Sequence, residues 1–490
     1  MRNSRKITGP RNARALAFSL MDHRISAGTL GFLSFDHKSF PRMGYNCCPV
    51  GMGPEPAWRC RMFAQSLLTL LSRVLIVSVV VSLSSVVAWS GSYTLLHVFL
   101  QNQEHPSSGL VVDAAGNAYG TTAFGGGKNN AGTVYQLSPT SGFHTIYAFT
   151  GPNGSKPNGS LLVDSAGNIY GTTTGGGAFL CDNDTIGCGI VYRLSPPKSG
   201  GPWTQTILYN FSGGDDGWYP YSGVISDSEG NLYGTALQGG PSQCGVVFEL
   251  SPTGNDQWTQ QVLHPLTLDG CNPAGGLVFD GLGNLYGTAE TGGAWGWGTA
   301  FELSPSPDGN WTYSTIHDFN SDGTDGAQPW AGLILDNAGN LYGSTRFGGA
   351  FGFGIVFELM PDSGNWTESI LHSFAGGNDG ANLFFNLVFD SAGNLYGTTA
   401  SGGGPKGYGT IFRLTPSQDD TWTESVFDMG SGVRGANPNG PVLLDGKGHA
   451  YGTASEGGRA KNGQIGYGVV FRLNIGNAPV AAEGPAANEL

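Results

Sequence analysis

The residues of this chain best suited to chemistry are aromatic rings set beside short polar groups in glycine-rich segments. Trp218, Tyr219 and Tyr221 follow Asp215 and Asp216; Trp330 follows Asp325 and Gln328; Phe384 and Phe385 follow Asn382. Trp295, Trp297, Phe351 and Phe353 lie in Gly-rich stretches of their own. Flat rings edged by hydrogen-bonding groups suit sugars, whose C–H faces are apolar and whose rims carry hydroxyls. Tyr and Trp are equally common anchors of protein interfaces. Trp218, Tyr219, Trp295, Trp330, Phe351 and Phe384 are therefore the expected ligand-binding residues.

The Asp-Gly segments that hold Asp215, Asp216, Asp322, Asp325 and Asp379 could offer oxygen ligands to Ca²⁺. None has the twelve-residue EF-hand spacing, and Asp-Gly is an ordinary turn signal. The expectation is a protein without a cofactor, Ca²⁺ at these aspartates being the metal alternative. His97, His264, His317 and His372 occupy equivalent places in alternating segments and read as packed rather than catalytic. No Gly-x-Ser-x-Gly elbow and no His-Glu-x-x-His string occurs. A carboxylate pair for glycoside cleavage would have to be assembled from separate structural units.

The elements that must position these residues come from a repeat. Asp-x-x-Gly-Asn-x-Tyr-Gly-Thr recurs seven times, with minor variation, centred on Tyr119, Tyr170, Tyr233, Tyr286, Tyr342, Tyr396 and Tyr451, at intervals of 51 to 63 residues. Residues present in every copy build a scaffold, so this string is a poor place to seek a single catalytic site. Around Tyr342, Gly332–Asp336 is an apolar run, Asn337–Asn340 a turn and Leu341–Thr345 a second strand. A glycine-rich loop leads to a third strand, Ile355–Leu359, and Trp366–Phe374 alternates as a half-exposed fourth. Four antiparallel strands in about 55 residues are the content of one propeller blade.

The reading is all-β: a seven-bladed β-propeller of four-stranded antiparallel blades. The last repeat lacks its Trp-Thr strand, and Tyr93–Phe99 matches that strand in pattern. This N-terminal strand (about 92–100) is expected to complete the last blade and close the ring, leaving no unpaired ends. Trp297, Phe353, Tyr408 and Tyr467 recur at one repeat position and are expected to fill gaps between blades. The hairpins that carry the string lie on one face. The variable aromatic loops lie on the other, where binding residues on a rigid scaffold are usually found.

Leu-Val-Phe-Asp390-Ser-Ala-Gly-Asn-Leu-Tyr-Gly-Thr-Thr399 and Gly-Thr-Ile-Phe412-Arg-Leu-Thr-Pro416 resemble the GloVer (Gloeo/Verruco) repeat of choice-of-anchor tandem repeat proteins. The resemblance covers about residues 92–474 and implies an exported bacterial protein, without a biochemical activity to carry over. The seventh copy departs from the pattern, with His449 where the others have Asn, and Ile475 to Leu490 shows no sorting motif or apolar anchor. A looser similarity is to NHL-type propeller repeats, which serve mostly as interaction platforms.

Composition agrees with many tight turns between short strands: 82 glycines, 39% hydrophobic residues and only 12% charged. Eleven of the 23 Lys and Arg lie in the first 73 positions, and from Gly91 onward 12 basic residues face 33 acidic ones. A surface of that sign repels phosphates and argues against nucleic acid as a partner. Val74–Ala88 is an apolar run behind Arg59, Arg61 and Arg73, short for a membrane span, and reads as a signal peptide over 62–90. The alternative is an uncleaved anchor, the only membrane contact expected. Residues 1–61 read as a disordered extension or as lying upstream of a true start at Met62 or Met43. Residues 91–474 form the propeller and 475–490 a flexible tail. In an exported protein Cys181, Cys188, Cys244 and Cys271 permit Cys181–Cys188 and Cys244–Cys271 bridges, more readily than a metal site.

The functional expectation is a monomeric, non-catalytic binding or scaffold module, secreted or in the cell envelope. Its ligand would be a carbohydrate or a cell-surface protein. The alternative is a secreted glycosidase or lyase with acidic residues at the funnel.

Overall fold

Each copy of the repeated string folds as a tight hairpin because its aspartate satisfies the turn. In the copy at Tyr342, Asp336 Oδ1 accepts the amides of Ala338 (2.8 Å) and Asn340 (2.9 Å). Asp336 Oδ2 accepts from Asn340 Nδ2 (3.0 Å) and from the Tyr342 hydroxyl (3.2 Å). Gly339 completes the turn at φ 89°, a region that costs glycine nothing. The same set of bonds recurs at Asp113, Asp164, Asp227, Asp280 and Asp390. In the seventh copy His449 Nδ1, 2.8 Å from Asp445 Oδ2, takes the place of the asparagine carboxamide. The carboxylate of the string is thus spent on the scaffold.

The computed structural model describes residues 87–88, 92–181, 187–419, 421–429 and 432–476. Its hairpins extend into seven antiparallel blades, numbered here 1 to 7 in the order of the seven tyrosines. Blade 5 runs outward through Ile334–Leu335, Leu341–Ser344, Ile355–Asp362 and Asn365–Ser373, each strand pairing with the next. The other blades repeat this order. The innermost strands pair over only two residues, shorter than their apolar runs, because the chain before them crosses from the neighbouring blade. In blade 7, Tyr93–Val98 supplies the outermost strand and pairs antiparallel with Val469–Asn474, from Tyr93 opposite Leu473 to Val98 opposite Val469. The ring is closed by the N-terminal strand as expected.

Two repeated devices hold blades together. In five blades the buried threonine of Tyr-Gly-Thr donates its hydroxyl to a backbone carbonyl of the segment leading into the next blade, whereas in blade 5 Ser344 takes its place and its hydroxyl finds no partner. Thr172 bonds Ser222 (2.7 Å), Thr288 bonds Ala331 (2.8 Å) and Thr398 bonds Gly440 (3.3 Å). Thr453 bonds Ser108 (3.0 Å), carrying the belt across the closure from blade 7 to blade 1. Each such bond contributes about 0.5–1.5 kcal/mol net. The second device is apolar: Tyr286 and Ala300 of blade 4 pack with Leu333, Leu341, Ile355, Phe357 and Leu359 of blade 5, and the other junctions are built alike.

Cys181 and Cys188 are joined by a disulfide within blade 2, and Cys244 and Cys271 by one that links blade 3 to the segment leading into blade 4. Val87–Ala88 forms a short strand parallel to Trp422–Asp428 of blade 6. The remainder of residues 62–90, expected to be a signal peptide, the extension 1–61 and residues 477–490 lie outside the described residues.

Candidate functional site at the mouth of the ring

Seven backbone kinks set up one mouth of the ring. Before each innermost strand a non-glycine residue takes left-handed φ: His105 (57°), Lys156 (55°), Tyr219 (57°), Asn272 (61°), Gln328 (55°), Asn382 (61°) and Asn437 (54°). Such a conformation persists only where surroundings enforce it. Here the amide of each kinked residue donates to a carbonyl of the preceding blade, as from Gln328 to Trp297 (2.7 Å) and from Asn382 to Phe353 (3.2 Å).

Two residues past each kink the seven positions are Ser107, Asn158, Tyr221, Ala274, Trp330, Phe384 and Asn439. The ring centroids of Tyr221 and Trp330 lie 5.4 Å apart, edge to face, although they lead into blades 3 and 5. Residues of non-adjacent blades can meet in this way only near the axis, and the small Ala274 between them leaves the room. Trp330 also meets Phe384 edge to face at 6.1 Å. The Arg346 guanidinium stands 4.9 Å from the Phe384 ring and 4.8 Å from the Phe347 ring. Its Nη1 is 3.9 Å from Glu290 Oε1, while its buried Nε has no hydrogen-bond partner. Burial pushes the Glu290 carboxyl up, with Arg346 pulling the other way, and burial also raises the Tyr221 hydroxyl. Beside this cluster a cleft of about 390 Å³ is lined by Trp297, Ser321, Gln328 and Phe347.

The six expected ligand residues therefore separate. Trp330 and Phe384 come together at the axis. Trp295 (64% exposed) and Phe351 (59% exposed) occupy one repeat position at the tips of the glycine-rich loops of blades 4 and 5. Trp218 is buried: its ring lies 4.4 Å from that of Tyr219 and packs with Cys181, Cys188 and Val246, so it is a core residue. Tyr219 is one of the seven kinked residues and is half-buried. Of the four aromatics expected to fill gaps between blades, Tyr408 packs against the core shared by blades 6 and 7, whereas Trp297, Phe353 and Tyr467 are only partly covered. Their rings are 41–44% exposed, because the link to the next blade is made by their backbone carbonyls. Sequence reasoning misses Arg346. The signal that could have found it is that Arg346 and Glu290 are opposite charges at one repeat position, which elsewhere holds Ala123, Thr174, Leu237, Ala400 and Ser455.

Of the aspartates considered for Ca²⁺, Asp215 is exposed. Asp216 accepts from the Tyr209 hydroxyl and from Ser212, and Asp322 accepts from Thr324. Asp325 and Asp379 are buried beside His317 and His372. The four equivalent histidines thus have two different surroundings. His97 stacks on Phe143 (3.6 Å) and His264 on Tyr313 (4.3 Å); burial lowers both, His97 to about 4. His317 and His372 instead face Glu368 and Glu424 of the following blade, each at 3.6 Å. Burial pushes the Glu368 carboxyl up to about 8 and that of Glu424 up to about 10.

Among curated proteins no sequence matches the chain. Solved structures with a similar fold include a Dyadobacter fermentans protein of unknown function, at 11% identity, with 78% of this chain and 99% of that one covered and a TM-score of 0.42. Another is PorZ, a surface component of the type-IX secretion system of Porphyromonas gingivalis, at 12% identity, 76% and 46% coverage and a TM-score of 0.44. A third is Sqt1 of Chaetomium thermophilum, at 13% identity, 76% and 88% coverage and a TM-score of 0.45. Likenesses at this level carry nothing about activity. The model of the Gloeobacter/Verrucomicrobia repeat matches three times, over residues 79–264, 180–380 and 280–481, and so spans the whole propeller. The chain belongs to the Gloeobacter/Verrucomicrobia repeat family.

Proposed function

We propose that this propeller is a non-catalytic, exported binding module whose ligand is a carbohydrate held at the axial mouth. The observation that carries the reading is the cluster of Tyr221, Trp330 and Phe384 with Arg346. Three rings meet where the other blades place small or polar residues, and an arginine with an unused donor lies among them. Aromatic faces take the C–H face of a sugar, and the guanidinium hydrogen-bonds hydroxyls or a uronic carboxylate at its rim. Export is supported by the apolar run Val74–Ala88 behind basic residues and by two disulfides, which persist in oxidising compartments. The repeat scaffold supports a binding or scaffold role, with its hairpin carboxylates consumed by turns.

The test is an array of immobilised neutral and acidic glycans probed with the whole chain and with Trp330→Ala and Arg346→Ala. Binding that falls at least tenfold in both variants, about 1.4 kcal/mol, with melting temperatures unchanged, is the expected result. Binding indifferent to both substitutions, or turnover of a bound glycan, would overturn the reading.

A further inference from the structure

The outermost strands of neighbouring blades meet through one repeated trio: a residue near the end of the strand, a residue of the loop that follows, and a residue of the next blade. Between blades 1 and 2 the trio is Tyr147, Asn153 and Gln205, a neutral set in which Asn153 donates to the Tyr147 hydroxyl and Tyr147 donates to Gln205 (2.7 Å). Gln260 holds the same place in blade 3. Between blades 4 and 5 the trio is His317, Asp325 and Glu368, and between blades 5 and 6 it is His372, Asp379 and Glu424.

We propose that these two His–Asp–Glu trios are binding sites for a divalent first-row cation of the zinc class, each joining two blades. The spacing fits. A tetrahedral ion with bonds of about 2.0–2.1 Å sets its ligand atoms about 3.3–3.4 Å apart. His372 Nε2 lies 3.3 Å from Asp379 Oδ1 and 3.6 Å from Glu424 Oε2, and His317 Nε2 lies 3.4 Å from Asp325 Oδ2 and 3.6 Å from Glu368 Oε1. In both trios the three ligand atoms lie within 4.8 Å of one another.

The hydrogen-bond count points the same way. Glu424 is only 8% exposed and has no nitrogen donor within hydrogen-bond distance; it faces His372 Nε2 at 3.6 Å and the Asp379 side chain, as Glu368 faces His317 Nε2 at 3.6 Å and Asp325. In the neutral trio each group finds a donor, whereas one imidazole cannot serve two buried carboxylates. Two acidic side chains packed together are costly to bury as anions, and a dication between them satisfies both at once. Asp379 is already oriented from behind, as outer-shell partners orient metal ligands, its Oδ2 accepting the Ala375 amide (2.5 Å); Asp325 is held by amides on both oxygens, Asn320 on Oδ2 (2.9 Å) and Gly326 on Oδ1 (2.5 Å). One nitrogen and two carboxylates per ion suit zinc better than calcium, which takes six to eight oxygens. A fourth position is left to water.

The test is zinc stoichiometry and zinc-dependent melting of the chelator-treated whole chain. Glu368→Gln and Glu424→Gln install the residue that Gln205 and Gln260 already provide at other junctions, so folding is retained. Because zinc can also bind elsewhere on the chain, the difference between variants is the readout. Each single variant is expected to bind one zinc fewer than the unaltered chain and the double variant two fewer, with the zinc-induced rise in melting temperature lost in the double variant. A double variant that binds as much zinc as the unaltered chain, or an unaltered chain that binds none, overturns the proposal.

Discussion

Gly343 and Gly339 stand four residues apart in one hairpin, and the structure gives them different reasons to be glycine. Gly343 has no positive φ; a Cβ added there would lie 2.5 Å from Phe357 Cζ and 2.7 Å from Leu333 Cδ2. Neither neighbour can yield easily, since Phe357 is fully buried and lies 5.2 Å from Phe319 of the preceding blade. Gly343→Ala therefore overpacks the core and is expected to cost about 1–3 kcal/mol. At Gly339, φ is 89° and nothing lies within 4 Å of an added Cβ, so Gly339→Ala meets only the backbone penalty of about 1–2 kcal/mol. Phe357→Leu separates the two causes. It removes the ring atoms that the methyl added by Gly343→Ala would strike. The double variant Gly343→Ala/Phe357→Leu is therefore less destabilised than the sum of its single variants, by about 1 kcal/mol. Gly339→Ala/Phe357→Leu is additive. Urea midpoints followed by tryptophan fluorescence supply the comparison. Additivity in the first pair, or full tolerance of Gly343→Ala, would refute the account of the Tyr-Gly step.

Other expectations test the closure and the junctions. Phe99, fully buried against Tyr135 and Phe143 of blade 1, follows the closing strand; Phe99→Ala should cost about 3–5 kcal/mol in urea unfolding, far above an ordinary terminal substitution. His97, held near 4 by burial against about 6.5 unfolded, contributes fully above pH 6.5 and loses its contribution as the pH falls toward 4. Allowing for its partial exposure, the loss between pH 7 and pH 5 is about 1 kcal/mol. His97→Tyr, the residue Tyr147 provides in blade 1, should flatten that part of the acid limb, and an unchanged limb would remove the stack as its source. The Cys244–Cys271 bridge spans 27 residues and two blades against 7 residues for Cys181–Cys188. In denaturation with disulfides intact, Cys244→Ser/Cys271→Ser should therefore cost more than Cys181→Ser/Cys188→Ser, within about 2–4 kcal/mol for each.

Much of the fold is legible in the sequence because its causes are local. Asp336, Gly339, Asn340 and Tyr342 bond within one turn, and seven such turns count seven blades. Tyr93–Val98 is identifiable as the missing strand because a repeat that lacks one element announces it. The site is legible only in part. Trp330 and Trp218 look alike in sequence, each an aromatic near an Asp-Gly segment. One points to the axis and the other into the core, since Trp330 lies two residues past its kink and Trp218 one residue before. His97 and His372 are likewise one position in the repeat; what separates them is Phe143 or Glu424 across a blade boundary.

The number of blades, the hairpin chemistry and the point of closure follow from the order of residues alone, since the first two rest on periodicity and on hydrogen bonds within one repeat and the third on a last repeat that lacks one strand. Which aromatics share the mouth, that Arg346 stands among them and that two junctions pair histidine with buried carboxylates emerge only in the folded ring. Those arrangements join residues of different blades, as Tyr221 with Trp330, Arg346 with Phe384 and His372 with Glu424, and packing blade against blade is what brings them into contact.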